Sequence, residues 1–193
     1  IMNFLINAEK IIQKKIKYKK NIKFINHHYC HLASAHYLSG FKDSCCVSID
    51  GLGEIESIAT GEGNGNKIKL LQSTNFPNSL GMFYSAITHY LGFKAMSSEG
   101  TVMALATYGN YNKKVPNHKT TYYKKLKSII KIDNNLNLRI DLSWFNFPFT
   151  REGWVSNKFI EFFGKPRKKN SIITNHHKNI ASALQKVFEE IYI

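Results

Sequence analysis

The chain has 193 residues, of which 43% are hydrophobic and 13% aromatic, and it carries a formal charge of +14. That composition suits one sizeable core, about one to one and a half domains, and excludes an intrinsically disordered chain. No apolar run approaches the roughly 20 residues of a membrane-spanning helix, so no membrane partner is expected.

The opening "IMNFLINAEKIIQKKIKYKK" is interrupted by Asn7, Glu9 and Lys10, and no small-residue cleavage site follows. It reads as a short amphipathic helix with a basic end, not as a secretory signal. Residues 22–26, "IKFIN", form a short β-rich run. "HLASAHYLSGF" then reads as a helix, with Leu32, Ala35 and Leu38 at helical spacing and Gly40 as its stop. "SCCVSIDG", residues 44–51, has the pattern of a buried strand ending at an acid and a glycine. From Ile55 to Phe76 apolar and polar residues alternate around a Gly/Asn turn at Gly63 to Asn66, a β-hairpin signal.

A helix opens at Ser79, the expected N-cap, buries Phe83, Ile87 and Tyr90, and ends at Gly92. A second follows, capped by Ser97 or Ser98 and stopped by Gly109. Residues 110–175 are less regular, with Trp144, Phe145, Phe147, Phe149 and Trp154 packing an insertion. The last segment, "IASALQKVFEEIYI", is an amphipathic helix with Ile180, Leu184, Val187 and Ile191 on one side. This order predicts an α/β fold, an incomplete actin-like ATPase (ribonuclease H-like) domain whose mixed sheet is flanked by helices. The sequence begins with Ile1 and stops inside a helix, so a fragment lacking both ends is expected.

Cys30, Cys45 and Cys46 are an odd set with two adjacent members, a poor disulfide framework. They read as small buried residues of a reduced, cytoplasmic protein, with a metal role for Cys30 left open. The lysines are scattered among Asn and Ile in runs such as "KKIKYKKNIK" and "KPRKKN". This favours a solvated basic surface over a nucleic-acid face, although Lys and Arg that neutralise phosphates would give one.

Three motifs carry chemistry. In "HHYCH", His27 and His31 lie four apart, so on a helix their Cβ atoms are about 5–6 Å apart on one face. Two neutral imidazoles so placed can share a divalent ion, or they are simply surface histidines. In "SIDGLGE", Asp50 ends an apolar strand, where a charge needs a partner or a cation. Gly51 and Gly53 permit a tight turn with amides free for an anion, or mark an ordinary hairpin turn. Asp50 beside His27 and His31 would complete a site of two imidazoles and one carboxylate with open positions. Third, Ser79-Leu80-Gly81 and Glu99-Gly100 open two helices, where phosphate or ribose can bind and where capping alone is the plainer reading.

Taken in order, His27-His28…His31…Ser34-Ala35, Asp50-Gly51-Leu52-Gly53-Glu54, Ser79-Leu80-Gly81…Phe93 and Glu99…Gly109 closely resemble the carbamoyltransferases of the nodulation and antibiotic-tailoring type. The likeness covers most of residues 22–109. "HKNIASALQKVFEE" resembles the helix that precedes the family's second nucleotide-binding half. The resemblance implies a partial actin-like domain over 1–193. Its motif-bearing core would be 22–109, its variable insertion about 110–175, and 176–193 the start of the helix leading to the second half. It implies ATP and carbamoyl phosphate as substrates, a carbamoyl adenylate intermediate, and transfer of the carbamoyl group to a hydroxyl of a small molecule such as a sugar or natural product. His27, His31 and Asp50 match metal ligands, commonly of iron. Gly51, Gly53, Ser79, Gly81, Glu99 and Gly100 match stretches lining the nucleotide pocket. Thr101 departs from the family's usual Lys. No residue here matches the catalytic base. A further metal-ligand Asp and the C-terminal domain that forms carbamoyl adenylate are expected outside the chain, so on this reading it does not catalyse alone. Two other readings are a protein of tRNA threonylcarbamoyl transfer and a non-catalytic basic RNA-binding fragment. The D-G-x-G-E and S-L-G-x-x-Y forms point to the small-molecule branch.

Overall fold

The computed structural model describes residues 7–134, 137–150 and 152–192, and it is a mixed α/β structure of two small sheets and several helices. Helix α1 spans Ala8–Ile16 and buries none of its residues. Helix α2, His27–Ser39, starts at Asn26, whose side chain accepts the Tyr29 N–H, and ends at Gly40 with φ of 75°.

The sheet beneath α2 is a meander of β1 (Asp43–Ile49), β2 (Glu56–Asn64) and β3 (Lys67–Asn75). Both pairings are antiparallel, with Val47 opposite Thr60 and Gly63 opposite Ile68. A mixed sheet was the expectation, and among the described residues no parallel pairing is formed. Residues 22–26 pair with no strand among the described residues, and Phe24 and Ile25 are exposed. Strand propensity there meets no strand edge to pair with, so it has no structural effect.

The face of α2 that meets the sheet also differs from the expected Leu32, Ala35 and Leu38. Leu38 is 86% exposed, and the buried residues are His28, Leu32 and His36, one turn apart. Each buried imidazole bonds through both nitrogens. His28 reaches Ser48 Oγ (2.8 Å) and Glu56 O (3.0 Å), and His36 reaches Ser44 Oγ (2.7 Å) and Gly65 O (2.9 Å). A buried polar group costs little when so paired. Leu32 packs on Cys46 and Ala59 between them. The approach is close enough that a Cβ at Gly63 would overlap the His36 ring. Of the cysteines, Cys46 is buried as expected, whereas Cys30 and Cys45 are exposed, because they point away from the contact between α2 and the sheet.

The main core lies beyond β3. It is built by α3 (Leu80–Tyr90), α4 (Glu99–Ala106), α5 (Tyr122–Ile129), the hairpin β4 (Ile130–Ile132) and β5 (Leu138–Ile140), α6 (Asn157–Phe163) and α7 (Asn175–Tyr192). Helices α4 and α5 both pack on α7, which buries Ile180, Leu184 and Val187. The aromatics of residues 110–175 join this same core. Phe145 meets Phe83 at 5.5 Å and Phe159 meets Tyr90 at 4.9 Å between ring centroids. Phe149 alone of the five named above is exposed.

Candidate metal centre

His27 is the first residue of α2, and His31 follows one turn later. Asp50 is the first residue past β1. The antiparallel sheet carries that strand end under the start of α2, so the three side chains meet. The Nε2 atoms of His27 and His31 are 3.0 Å apart. Asp50 Oδ2 lies 2.7 Å from the first and 3.5 Å from the second. The three donor atoms fall within 4.8 Å of one another, and among the described residues no other His, Cys, Asp and Glu group converges in this way. Adjacent ligand atoms on one ion, with bonds of about 2.1 Å, are themselves about 3 Å apart. The set therefore fits a single divalent cation held by two imidazoles and a carboxylate. The side chains keep 39% to 50% of their exposure, which leaves an open side for further ligands.

Partial burial acts to raise the Asp50 pKa. The hydrogen bonds from His27 and from the Gly51 amide, with the charges of both histidines, outweigh it and hold the carboxyl below its ordinary value of 3.8. Asp50 is thus anionic at neutral pH, as a cation ligand must be. His28, the middle histidine, is committed to the sheet and takes no part, and Cys30 lies outside the cluster.

The turn after Asp50 positions the centre. Both carboxylate oxygens of Glu54 accept the His27 amide N–H, at 3.2 and 3.1 Å. The N-terminal amides of a helix need such an acceptor. The amide of Gly51 donates to Asp50 Oδ1 (2.6 Å) and that of Gly53 to Glu56 O (2.7 Å), so both are engaged within the turn. Gly53 serves close packing: a Cβ there would sit 3.0 Å from the His28 ring and 3.2 Å from the His27 ring. Ser79 is fully buried. Its hydroxyl lies 2.7 Å from Gly51 O and accepts the Met82 N–H, tying the start of α3 to the turn. A Cβ at Gly81 would lie 2.6 Å from Asp50 O.

Beside the centre lies a cavity of about 590 Å³. Asp50, Gly51, Gly81 and Glu99 line it, together with Tyr84 and, from α7, Gln185. Glu99 is fixed by the Ser85 hydroxyl (2.6 Å) and the Met96 amide (2.7 Å). Burial first, then the charges of Glu99 and Glu189, push the Tyr84 phenol up, and it donates to Gln185 Oε1 at 2.9 Å. Of the remaining expected pocket residues, Gly53 and Ser79 support the turn from behind. Gly100 is exposed and faces open space. Glu54, Ser48 and Gln185 join the site without having been expected there. Glu54 closes the quoted D-G-x-G-E motif, and Ser48 is a polar residue in an apolar strand; both were visible signals. Gln185 sits in a helix 101 residues from Tyr84 and has no local signal.

Comparison with known proteins gives a family model described as "Carbamoyltransferase N-terminus", which matches residues 2–193. "Uncharacterized protein sll1178" of Synechocystis is 32% identical over 171 residues, 88% of this chain and 26% of that protein. "Nodulation protein NolNO" of Sinorhizobium fredii is 31% identical over 170 residues, 88% and 22%. "Nodulation protein NolO" of Bradyrhizobium diazoefficiens is 30% identical over 167 residues, 86% and 27%. The chain thus spans about a quarter of the length of these curated relatives.

Proposed function

This chain belongs to the carbamoyltransferase family, and we propose that it forms the metal-holding part of an O-carbamoyltransferase with an actin-like ATPase core. The reaction is transfer of the carbamoyl group of carbamoyl adenylate, made from ATP and carbamoyl phosphate, to a hydroxyl of a small molecule such as a sugar or natural product. Formation of the adenylate is assigned to a domain outside this chain.

The observation that carries the reading is the convergence of His27, His31 and Asp50 on one point. A divalent ion, iron by resemblance to the family, would be held by His27 Nε2, His31 Nε2 and Asp50 Oδ2. When bound it supplies Lewis acidity toward a phosphate or carbonyl oxygen. The chain's own residues do the positioning. Glu54 fixes the first turn of α2, and with it the reach of both histidines. Ser79 and Gly81 bring α3 against the Asp50–Gly51 turn, so that the cavity wall and Asp50, which would hold the ion, share one rigid support. The cavity beside Asp50 and Glu99 has the size of a small-molecule site and is the place proposed for the nucleotide. In the transfer, the acceptor hydroxyl gives its proton to a base not among the residues assigned above, its oxygen forms the new C–O bond to the carbamoyl carbon, and the bond from that carbon to the phosphate oxygen breaks as AMP departs with its electron pair.

The test is alanine substitution in the complete protein. His27→Ala and Asp50→Ala should each lower metal content and carbamoyl transfer together. The loss should be at least the ~10–100-fold that removal of an outer-shell partner costs. Transfer at the wild-type rate in either variant would contradict the assignment.

A further inference from the structure

At the other end of α3 the chain folds a second hollow, of about 810 Å³, between residues 89–98 and residues 166–173. Helix α3 has 11 residues, so about 16 Å of helix separates this hollow from the Asp50–Gly51 turn. Lys94, Arg167 and Lys169 line it, and no acidic side chain does.

Arg167 is held in place by main-chain carbonyls. Its Nε donates to Leu91 O, one terminal nitrogen to Ser171 O (2.6 Å) and the other to Gly92 O (3.4 Å). The guanidinium lies 4.7 Å from the Phe93 ring centroid. These partners are all neutral. Among the described residues, neither Arg167, Lys94 nor Lys169 has a carboxylate within ion-pair distance. A guanidinium has five N–H donors, so this one keeps donors to spare and a charge with no counter-charge. The field is felt nearby: burial, then His176 and Arg167, hold the His177 pKa below its ordinary value.

We propose that this hollow binds a phosphorylated small molecule, with the phosphoryl group on Arg167 and with Lys94 and Lys169 closing over it. A planar guanidinium fixed in advance matches phosphate oxygens in pairs, and two flexible ammonium groups suit the remaining charge. The cations surround a concavity of small-molecule size. A polynucleotide requires instead a groove that tracks its backbone. The inference stands apart from the carbamoyl-transfer reading and uses none of its residues.

Isothermal titration of the complete protein with inorganic pyrophosphate, at constant ionic strength, tests it. Saturable binding is expected. Lys94→Glu/Lys169→Glu should weaken it by at least about tenfold, the scale of one charge-assisted hydrogen bond. Lys19→Glu/Lys20→Glu changes the net charge equally at exposed lysines between α1 and α2 and should leave it intact. Arg167→Gln should also lose binding; because it can disturb the fold, the lysine pair is the deciding variant. Equal weakening in both lysine pairs would show a net-charge effect and overturn the proposal, as would no weakening in either. No saturation at millimolar pyrophosphate would overturn it as well. So would binding of single-stranded RNA, but not of pyrophosphate, that depends on Lys94 and Lys169.

Discussion

At the scale of single residues, three histidines of one short stretch do two jobs. His27 converges with His31 on Asp50, and His28, between them, locks the helix to Ser48 and Glu56. His28→Ala should leave the buried Ser48 Oγ without its partner, while Glu56 O keeps the Gly53 amide, and cost about 1–3 kcal/mol for an unsatisfied group, read from urea unfolding. Its effect on metal affinity should be smaller than that of His31→Ala. Gly81→Ala would drive a methyl into Asp50 O, 2.6 Å away, and should cost ~1–3 kcal/mol by overpacking. The spacing of His27 and His31 was legible because a helix fixes which residues share a face. The packing role of Gly53 was not legible, since spacing alone does not tell an amide that meets an anion from a glycine that makes room for two imidazole rings.

At the scale of elements, the hairpin, α3 and α7 were legible because their periodicity agrees with their burial. Helix α2 was legible as a helix but not in its orientation. A buried histidine is tolerated only when both nitrogens are bonded, and those bonds, to Ser44, Ser48, Glu56 and Gly65, come from distant segments. The run 22–26 shows the same limit from the other side, because a strand exists only beside a partner. The 3-10 turn Leu142–Trp144 gives a pH test. Asp141 caps it, and the Ser143 hydroxyl first, with the Ser143 amide, Lys158 and the Trp144 indole, outweighs the opposing effect of burial to hold its pKa below 3.8. A carboxyl whose folded pKa is depressed adds stability above its unfolded pKa, and that stability is lost as pH falls through the folded value. Asp141→Asn should therefore be less stable than wild type at neutral pH, with the gap closing below about pH 4. A gap that persists at pH 2 would contradict it.

At the scale of the molecule, the stretch 110–175 reads from sequence as an irregular insertion packed by aromatics, because it has no clear period. Its aromatics, Phe149 apart, join the core that carries α3, and hence the support under the Asp50–Gly51 turn. Leu184, fully buried on α7, belongs to that core, and Leu184→Ala should cost about 2–5 kcal/mol in thermal or urea unfolding. Gln185, its neighbour, reaches the cavity beside the candidate metal centre, so the same helix serves packing and that cavity. No local pattern in the sequence could announce such long-range convergence, whereas the family motifs preserve its local pieces.

The most direct measurement is an anomalous-scattering map of the complete protein crystallised with ferrous iron. The expected result is one peak bonded to His27 Nε2, His31 Nε2 and Asp50 Oδ2. A peak ligated elsewhere, or none there at saturating iron, would contradict the account.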